Sequence, residues 1–298
     1  MKKISSREIK EFVSKPLFDE RVILRRDHLW PKISIVTPSY NQGKFLERTI
    51  LSILNQNYPN LEYIIMDGGS NDNSVEIIRK YKKYITYWQS KKDSGQAAAI
   101  REGFAKSTGD LMAWLNSDDI YLPEVLFKVA KIFKKHPEID FVFGNIYFIN
   151  SNDDILEEIR LTKFYFSTLI YEGGNLQQPA TFWTRRIYNQ AGGIDPNYQF
   201  CMDFDFFCRV AEKDAKFFFI REPLAGFRIH KKAKSTLISY TGDLEHQKIL
   251  KRYIPPKFNK FYLRIKCKLC QIRRFFLYVF QGDIDYALRG LIRRVFKK

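Results

Sequence analysis

Four acidic residues stand in short polar loops, each of which follows an apolar, β-rich run of the sequence. Asp67 opens the loop DGGSNDNS, Asp93 lies in KKDSGQ, and Asp118 and Asp119 end NSDD. Carboxylates gathered in one crevice repel each other unless a cation is present, and carboxylate oxygens are ligands that Mg²⁺ and Mn²⁺ prefer. The residue types therefore predict a divalent metal site, provided that the fold brings these loops together.

Alternating apolar patterns indicate the fold that must position these loops. Short β-rich runs are followed by longer segments with apolar residues near helical spacing, which predicts parallel strands joined by right-handed helical crossovers. In such a doubly wound α/β sheet, ligands bind at the carboxyl ends of the strands. The predicted strands are 33–37, 61–67, 85–89, 111–115 and 141–149.

Each loop taken alone has a simpler interpretation as a turn. Asp, Asn, Gly and Ser favour turns, Ser74 before VEII is a suitable helix N-cap, and NSDD ahead of Pro123 can be a helix-entry loop. Polar loops at four successive strand ends, including TPSYNQGKF after the first, favour a binding site instead. Two nucleotide-binding folds are excluded. The first turn lacks the G-x-G-x-x-G fingerprint of the Rossmann fold, and the sequence lacks the G-x-x-x-x-G-K-[ST] motif of a P-loop. Phosphate bound here would have to be neutralised by a metal and side chains.

Longer motifs extend this pattern along residues 31–240. In order, they are TPSYNQGKFLERTILSILNQNYPNLEYIIMDGGSNDNS, DSGQAAAIREGF, GDLMAWLNSDDIYLP, QQPATFW and MDFDFFCRVA. Together they resemble the family 2 glycosyltransferases, which have the GT-A fold of nucleotide-diphospho-sugar transferases. The resemblance implies an inverting transfer of a hexosyl or N-acetylhexosaminyl group from a nucleotide diphosphate sugar, most often a UDP-sugar, with Mn²⁺ or Mg²⁺. The implied acceptor is a hydroxyl of a glycan or of a lipid-linked molecule.

The resemblance also assigns the donor pocket, position by position. It places Asp67 against the base, Asp93 and Gln96 near base and ribose, and the start of the nucleotide pocket at Thr37, Pro38 and Tyr40. A carboxylate suits uracil, whose N3–H is a donor, whereas cytosine presents only an acceptor there. Thymine and guanine also present a ring N–H, so UDP as the expected nucleotide follows mainly from the resemblance.

NSDD stands where the family has the D-x-D motif that holds ribose and metal. The resemblance assigns Asn116, Ser117 and Asp118 to the donor, and it assigns to the metal Asp118, Asp119 and His230. Asn116 stands where the family commonly has Asp, and an amide bonds a hydroxyl without contributing charge. Both acids are left as candidate direct ligands. A surface position in a basic loop is the alternative for His230, and a solvated basic face is the alternative to phosphate binding for Arg228, Lys231 and Lys232.

MDFDFF supplies the base that an inverting displacement needs. Asp203 matches the acid of the family's ED motif, with Met202 where a Glu often precedes it, and is predicted to take the proton of the acceptor hydroxyl. Two acids at i and i+2 diverge on a helix, so Asp205 is predicted to be structural. Core packing is predicted for Trp114 and Trp183, with stacking on a sugar as the alternative.

Positive charge is concentrated in the last part of the chain. Of the net charge of +17, residues 251–298 account for +12, with fourteen basic and two acidic residues. Interleaved Phe, Tyr, Leu and Ile favour amphipathic helices on an anionic membrane surface, although a helical pair packed on the catalytic domain has the same pattern. No nucleic-acid-binding motif is present, so nucleic acid is not an expected partner.

Composition and hydropathy set the broad class and the expected regions. A hydrophobic content of 45% supports a globular core, and neither a secretory signal nor an apolar run of about 18 residues occurs, so a cytoplasmic protein, peripheral at the inner face of the cell membrane, is expected. Four cysteines, two of them in CKLC, are predicted to be reduced thiols and not a zinc site. The expected regions are an N-terminal extension 1–30, a GT-A catalytic domain 31–240 with a nucleotide-binding half 31–122 and an acceptor half 123–240, and a basic helical tail 241–298.

Two other functions fit parts of the sequence. A catalytically silent nucleotide-sugar binder would keep the donor residues without transferring sugar, and Asp203 argues against it. A membrane or polyanion adaptor would depend on the basic tail alone.

Overall fold

A nine-stranded sheet forms the centre of the protein. The computed structural model describes residues 3–25, 27–173, 176–231, 233, 239–255 and 259–296. Within these residues the strands are β1 Ile33–Ser39, β2 Leu61–Asp67, β3 Tyr87–Ser90, β4 Leu111–Trp114, β5 Ile120–Tyr121, β6 Phe141–Ile149, β7 Ile155–Ile159, β8 Thr181–Thr184 and β9 Phe217–Arg228. Their order in the sheet is β3-β2-β1-β4-β8-β6-β9-β5, and β7 pairs with β6.

One half of the sheet, from β3 to β4, is entirely parallel. Every residue of β1 and β2 is buried because both faces of this half are covered. Alternate side chains enter opposite cores, so that Ile35 belongs to one apolar cluster and Val36 to the other. The parallel pairing brings the carboxyl ends of four strands to one edge and confirms the predicted α/β class.

The other half of the sheet is mixed. β8 runs antiparallel between β4 and β6, whereas β6 and β9 are parallel. The short strand β5 pairs with β9, where Ile120 lies opposite Gly226. Because β5 follows β4 after only five residues, this pairing carries the β4–β5 loop to the end of β9.

Helices flank the sheet, and one of them approaches a strand very closely. A Cβ atom at Gly103 would lie 2.6 Å from Cγ1 of Val36, so glycine permits the close approach of the last turn of this helix, Gln96–Ala105, to β1. The helices are α1 Ser6–Ser14, α2 Glu20–Arg25, α3 Gly43–Leu54, α4 Ser74–Tyr81, α5 Gln96–Ala105, α6 Val125–Lys135, α7 Phe166–Glu172, α8 Arg185–Gln190, α9 Met202–Ala211, α10 Ser239–Tyr253, α11 Lys260–Phe280 and α12 Ile284–Phe296, with 3₁₀ turns at Lys82–Tyr84 and Gln178–Ala180.

The N-terminal segment packs on the sheet-and-helix core. Helix α1 begins with a capping box between Ser5 and Glu8 and buries Ile9 and Val13. The side chain of Asn55 joins the segment to the end of α3, since its Nδ2 donates to the carbonyl of Lys15 (3.0 Å) and its Oδ1 accepts from the N–H of Leu17 (2.7 Å).

The last three helices make different contacts. Helix α10 packs into the core of the protein, because Ile249 is fully buried and Arg252 bonds Asp205 at 2.8 Å. Helix α11 packs on α7, where Arg274 and Glu172 form an ion pair of 2.6 Å. Residues 240 and 241 both lie within α10, and the division into a catalytic domain and a basic tail stays a prediction. No helix in the described ranges is both long enough and apolar enough to cross a membrane.

Candidate active site

A cavity of about 1160 Å³ opens where β1, β3 and β4 end, and the beginning of α9 and part of α10 complete its wall. Its volume is that of a site for a sizeable small molecule. Most residues predicted from the sequence line it, namely Pro38, Tyr40, Asp93, Gln96, Asn116, Ser117, Asp118, Asp119 and Asp203. Thr37, Asp67 and His230 are not part of its lining, and Lys232 lies outside the described residues.

The two acids of NSDD have different surroundings. Asp119 is only 1% exposed, and its Oδ1 accepts the backbone N–H of Arg228 at 2.8 Å. Burial, and then the neighbouring charge of Asp118, raise the pKa of Asp119 well above its usual value. Asp118 remains partly exposed, and its Oδ2 lies 3.0 Å from Nε2 of His230. Asp119 thus shapes the loop, while Asp118 presents a carboxylate to the cavity.

Arg228, at the end of β9, holds this loop from behind. Its side chain is completely buried, its Nε donates to the carbonyl of Asp118 (2.7 Å) and its Nη1 donates to the carbonyl of Asn150 (2.7 Å). Nη2 lies 2.6 Å from Asp153, and the guanidinium lies over the ring of Phe45. Because these contacts engage most of the guanidinium, Arg228, which also borders the cavity, positions NSDD.

Asn116 belongs to a network of amides on the cavity wall. Its Oδ1 accepts from Gln96 at 2.8 Å, and its Nδ2 donates to Gln178 at 3.2 Å and weakly to Asp119 at 3.4 Å. Gln178 in turn donates to the carbonyl of Trp114 at 2.8 Å. A carboxylate at position 116 has no N–H to donate and would add a third negative charge to NSDD, so the departure from the family pattern suits this network.

Asp67 and Asp93, both assigned to the base, differ in access to the cavity. The carboxylate of Asp67 is 1% exposed and accepts bonds from the backbone of Gly69 (3.1 Å) and Ser70 (2.9 Å) and from the hydroxyl of Ser90 (2.6 Å). It therefore holds the loops after β2 and β3 together. Asp93 faces the cavity, and its Oδ1 accepts the N–H of Gly95 at 2.8 Å.

Asp203 and Asp205 lie in the first turn of α9 and point to different environments. Asp203 is partly exposed and lines the cavity. Asp205 is fully buried and forms ion pairs with Arg209 (2.7 Å) and Arg252 (2.8 Å). Glu245 of α10 accepts the backbone N–H groups of residues 199, 200 and 201, at 2.7 to 2.8 Å, and so fixes the segment that leads into α9.

Helix α10 adds cavity residues that sequence analysis missed. Asp243 and His246 line the cavity, and the ring of His246 lies 4.6 Å from that of Phe204. Burial lowers the pKa of His246, which favours its neutral form. The sequence gives no signal for these residues, because only a tertiary contact brings them to α9 from about 40 positions away.

The tryptophans and cysteines singled out from the sequence make structural contacts. Trp114 and Trp183 are buried against each other in the core, with ring centroids 5.4 Å apart. The four cysteines are free, and Cys270 is buried between α11 and α7, where it contacts the carbonyl of Ser167.

The cavity meets only part of the ligand requirement of a divalent cation. Across the described residues, no group of three or more His, Cys, Asp or Glu side chains is arranged to hold a metal. Asp118 and His230 supply one oxygen and one nitrogen within 3.0 Å of each other. The Asp118 carboxylate suits Mg²⁺ or Mn²⁺ whose other ligands come from a bound phosphate and water, and the His230 imidazole would be an additional nitrogen ligand.

Comparisons with known proteins agree with the geometry. Residues 34–202, more than half of the chain, match the sequence profile described as Glycosyl transferase family 2. An uncharacterized glycosyltransferase of Methanocaldococcus jannaschii is 29% identical over 231 residues, which cover 75% of this chain and 78% of that protein.

Two solved structures are similar to the protein in fold. Staphylococcus aureus TarS 1–349 in complex with UDP-GlcNAc has a TM-score of 0.61 at 15% identity, over 88% of this chain and 81% of that one. Mannosyltransferase PcManGT from Pyrobaculum calidifontis, in complex with GDP-Man and Mn²⁺, has a TM-score of 0.57 at 14% identity, over 98% and 82%. These likenesses confirm the expected GT-A fold.

Proposed function

The chain belongs to glycosyltransferase family 2, and from this premise we propose a metal-dependent inverting transfer from a UDP-sugar to a hydroxyl of a glycan or lipid-linked acceptor. One observation carries the proposal: the strand-end loops and the first turn of α9 line the same cavity. A donor held by the loops would therefore lie within reach of Asp203. Family membership gives nucleotide-sugar transfer, while the metal, the nucleotide and the acceptor are the proposed parts.

The base is proposed to bind between Tyr40 and Asp93. Tyr40 is 61% exposed at the cavity, and an exposed aromatic ring can stack on a base. Asp93 accepts the N–H of Gly95 with Oδ1, so Oδ2 is the oxygen with more acceptor capacity left for a base. Uracil offers one ring N–H, whereas the guanine of GDP-Man, the ligand of PcManGT, offers N1–H and an amino group. This match favours uridine, the base of the UDP-GlcNAc bound by TarS.

The diphosphate and ribose are proposed to bind along NSDD. Asp118 and His230 would hold Mn²⁺ or Mg²⁺, which when bound neutralises charge on the departing nucleoside diphosphate. Asn116 and Gln96 lie 2.8 Å apart on the same wall and would exchange bonds with ribose hydroxyls. Asp119 would keep the loop in place through its bond to Arg228.

Asp203 is proposed as the general base. Its carboxylate takes the proton of the acceptor hydroxyl while the hydroxyl oxygen forms a bond to the anomeric carbon. The bond from that carbon to the diphosphate oxygen breaks, and the nucleoside diphosphate leaves with the electron pair. Attack from the side opposite the leaving group inverts the anomeric configuration.

The acceptor is proposed to enter between α7 and α10. Leu169 and Gly173 line the cavity from one side, and Phe200, Asp243 and His246 line it from the other. His246 packs on Phe204, next to Asp203, so an acceptor bound here would reach the proposed base. An anionic membrane surface in contact with residues 251–298 would supply a lipid-linked acceptor.

A thermal-shift screen of nucleotides and nucleotide sugars, with and without Mn²⁺, tests the proposal. Ligands that bind only the folded state raise its stability, by about 2.7 kcal/mol at a concentration of 100 Kd. We expect UDP-sugars to raise Tm only with the metal, and Asp93→Asn to reduce this shift. Glu138→Gln is the control, because Glu138 is an exposed acid outside the cavity. A shift with GDP-sugars alone would refute the uridine assignment, and no shift with any nucleotide would refute the donor site.

A further inference from the structure

We propose that one exposed apolar face of the α11–α12 hairpin binds an anionic lipid bilayer, beside the cavity of the proposed transferase. The proposal narrows the broad basic segment 251–298 to particular side chains. The purpose of bilayer binding rests on the proposed function, whereas the binding itself needs neither donor nor metal.

Large apolar side chains form a continuous exposed row along α11. They recur every three or four residues and therefore lie on one face of the helix. Their exposed fractions range from 41% at Ile265 to 85% at Phe280. The members of this apolar row are Phe261, Ile265, Leu269, Ile272, Phe276 and Phe280.

Helix α12 extends the apolar row past the turn. Ile284, Leu288 and Leu291 are 44 to 51% exposed and again recur at helical spacing. A second cavity of about 1000 Å³ lies between β7, α11 and α12, and Ile272, Phe276 and Leu291 line it.

The charges around the apolar row are complementary to anionic headgroups. Helix α11 contains no acidic residue. Lys260, Arg264 and Lys268 are exposed and follow one another at intervals of four, directly beside Phe261, Ile265 and Leu269. An exposed apolar stripe bordered by cations is the pattern of helices that lie in the interface of an anionic bilayer.

The opposite face of α11 is already occupied by the protein. Arg273 donates to the hydroxyls of Ser167 and Thr168, both at 2.7 Å, and Tyr278 donates to the carbonyl of Arg160 at 2.7 Å. Cys270 is buried at the same contact with α7. The hairpin is thus held to the core by its inner face while the apolar row points outward.

Helix α7 connects this surface to the candidate active site. Thr168 contacts α11, while the adjacent Leu169 lines the cavity. Glu172 pairs with Arg274 of α11, and the next residue, Gly173, again lines the cavity. Only one helix therefore separates the proposed bilayer surface from the entrance proposed for the acceptor.

Co-sedimentation of the full chain with vesicles tests the proposal. We expect binding to phosphatidylcholine vesicles that contain about 30% phosphatidylglycerol, and at least tenfold weaker binding to phosphatidylcholine alone. The variant Ile265→Ser/Leu269→Ser/Phe276→Ser should lose at least tenfold in affinity for the anionic vesicles. A matched control, Leu17→Ser/Leu24→Ser/Leu29→Ser, changes three exposed leucines elsewhere and should bind as the wild type does. The variant Arg264→Gln/Lys268→Gln should bind the anionic vesicles more weakly, and its binding should depend less on salt concentration.

Three outcomes would overturn the proposal. These are equal sedimentation with both vesicle types, unchanged binding by the triple serine variant of α11, and self-association that this variant abolishes without any vesicle binding. Circular dichroism and the UDP-sugar thermal shift are measured on every variant. A normal thermal shift with no vesicle binding refutes the bilayer surface alone, whereas vesicle binding with no thermal shift refutes the proposed function alone.

Discussion

Two pairs of neighbouring acids, one after β4 and one in α9, divide in the same way between cavity and core. Asp118 and Asp203 line the cavity with partly exposed side chains. Asp119 and Asp205 are buried, at 1% and 0% exposure. At each place one acid therefore faces the cavity while its neighbour supports the local structure.

The two buried acids are satisfied by different groups, and this difference is informative. Asp205 forms ion pairs with Arg209 and Arg252, whereas Asp119 is bonded by the backbone N–H of Arg228 and weakly by Asn116. Burial, and then the charge of Asp118, raise the pKa of Asp119, and the N–H and charge of Arg228 offset them only in part. Helix α9 is thus fixed by charge pairs, while the NSDD loop is fixed by backbone geometry imposed from β9.

The largest effect is expected from Asp203→Asn. The amide cannot accept the proton of the acceptor hydroxyl, so the transfer rate should fall by about 10³, within the usual contribution of a general base. The Tm shift caused by a UDP-sugar with Mn²⁺ should persist, because the strand-end loops are unchanged. Steady-state transfer and thermal shift are measured on the same preparation, and a rate equal to that of the wild type would refute the base assignment.

The next effect is expected in stability, from Asp205→Asn. Removal of the carboxylate leaves Arg209 and Arg252 without their buried partner, which should lower the free energy of unfolding by about 3 kcal/mol. Urea unfolding measures the change, and Asp243→Asn in α10 serves as a control outside this ion-pair network. If the unfolding midpoint of Asp205→Asn is unchanged, the two acids of α9 do not divide as the structure indicates.

A smaller effect is expected from Asp118→Asn. Loss of the charge next to His230 should reduce the Mn²⁺-dependent affinity for UDP by about 30-fold, which corresponds to about 2 kcal/mol. Titration calorimetry with and without Mn²⁺ gives the metal-dependent part. Asp119→Asn is the matched variant and should change this part by less than about threefold. Equal losses in both variants would show that the two acids of the loop act together.

The smallest effect is expected from Glu62→Gln. Glu62 is a third buried acid, and its lowered pKa contrasts with the raised pKa of Asp119. Burial alone would raise the pKa of Glu62, but Lys32 at 2.6 Å, Ser34 and Thr108 lower it to about 2. Because the folded pKa lies below the unfolded value of about 4.5, the stabilisation is present above pH 4.5 and is lost as the pH falls toward 2. After a discount for solvent screening of the ion pair, Glu62→Gln should cost about 1 kcal/mol at pH 6 and clearly less at pH 2, in urea titrations at both values. A cost independent of pH would contradict the ionised state of Glu62.

The sequence predicted the parallel half of the sheet and its loops because each depends on local patterns. Strands β2 and β6 have the predicted limits, and most of the donor residues predicted from the motifs meet in one cavity. Local patterns do not report which of two adjacent acids is buried. That choice depends on Arg228, 109 positions away from Asp119, and on the network of Asn116 and Gln178.

The limits of the C-terminal region could not be predicted for a similar reason. By composition, residues 241–298 form one basic segment. Their contacts differ, because α10 packs into the core whereas α11 packs on α7. Asp243, Glu245 and His246 of α10 face the core or the cavity, although the same region is basic overall. Whether a cationic helix lies against the core or exposes its apolar side depends on the partner surface, here α7 for α11.

The buried guanidinium of Arg228 also has a consequence for the order of folding. It joins the carbonyl of Asp118 to that of Asn150, and its own N–H bonds Asp119, so three distant segments meet at one side chain. Contacts between residues more than 100 positions apart form late, because the intervening chain must first be ordered. During synthesis on the ribosome, the parallel half can collapse early, but NSDD takes its final shape only after β9 has emerged and docked.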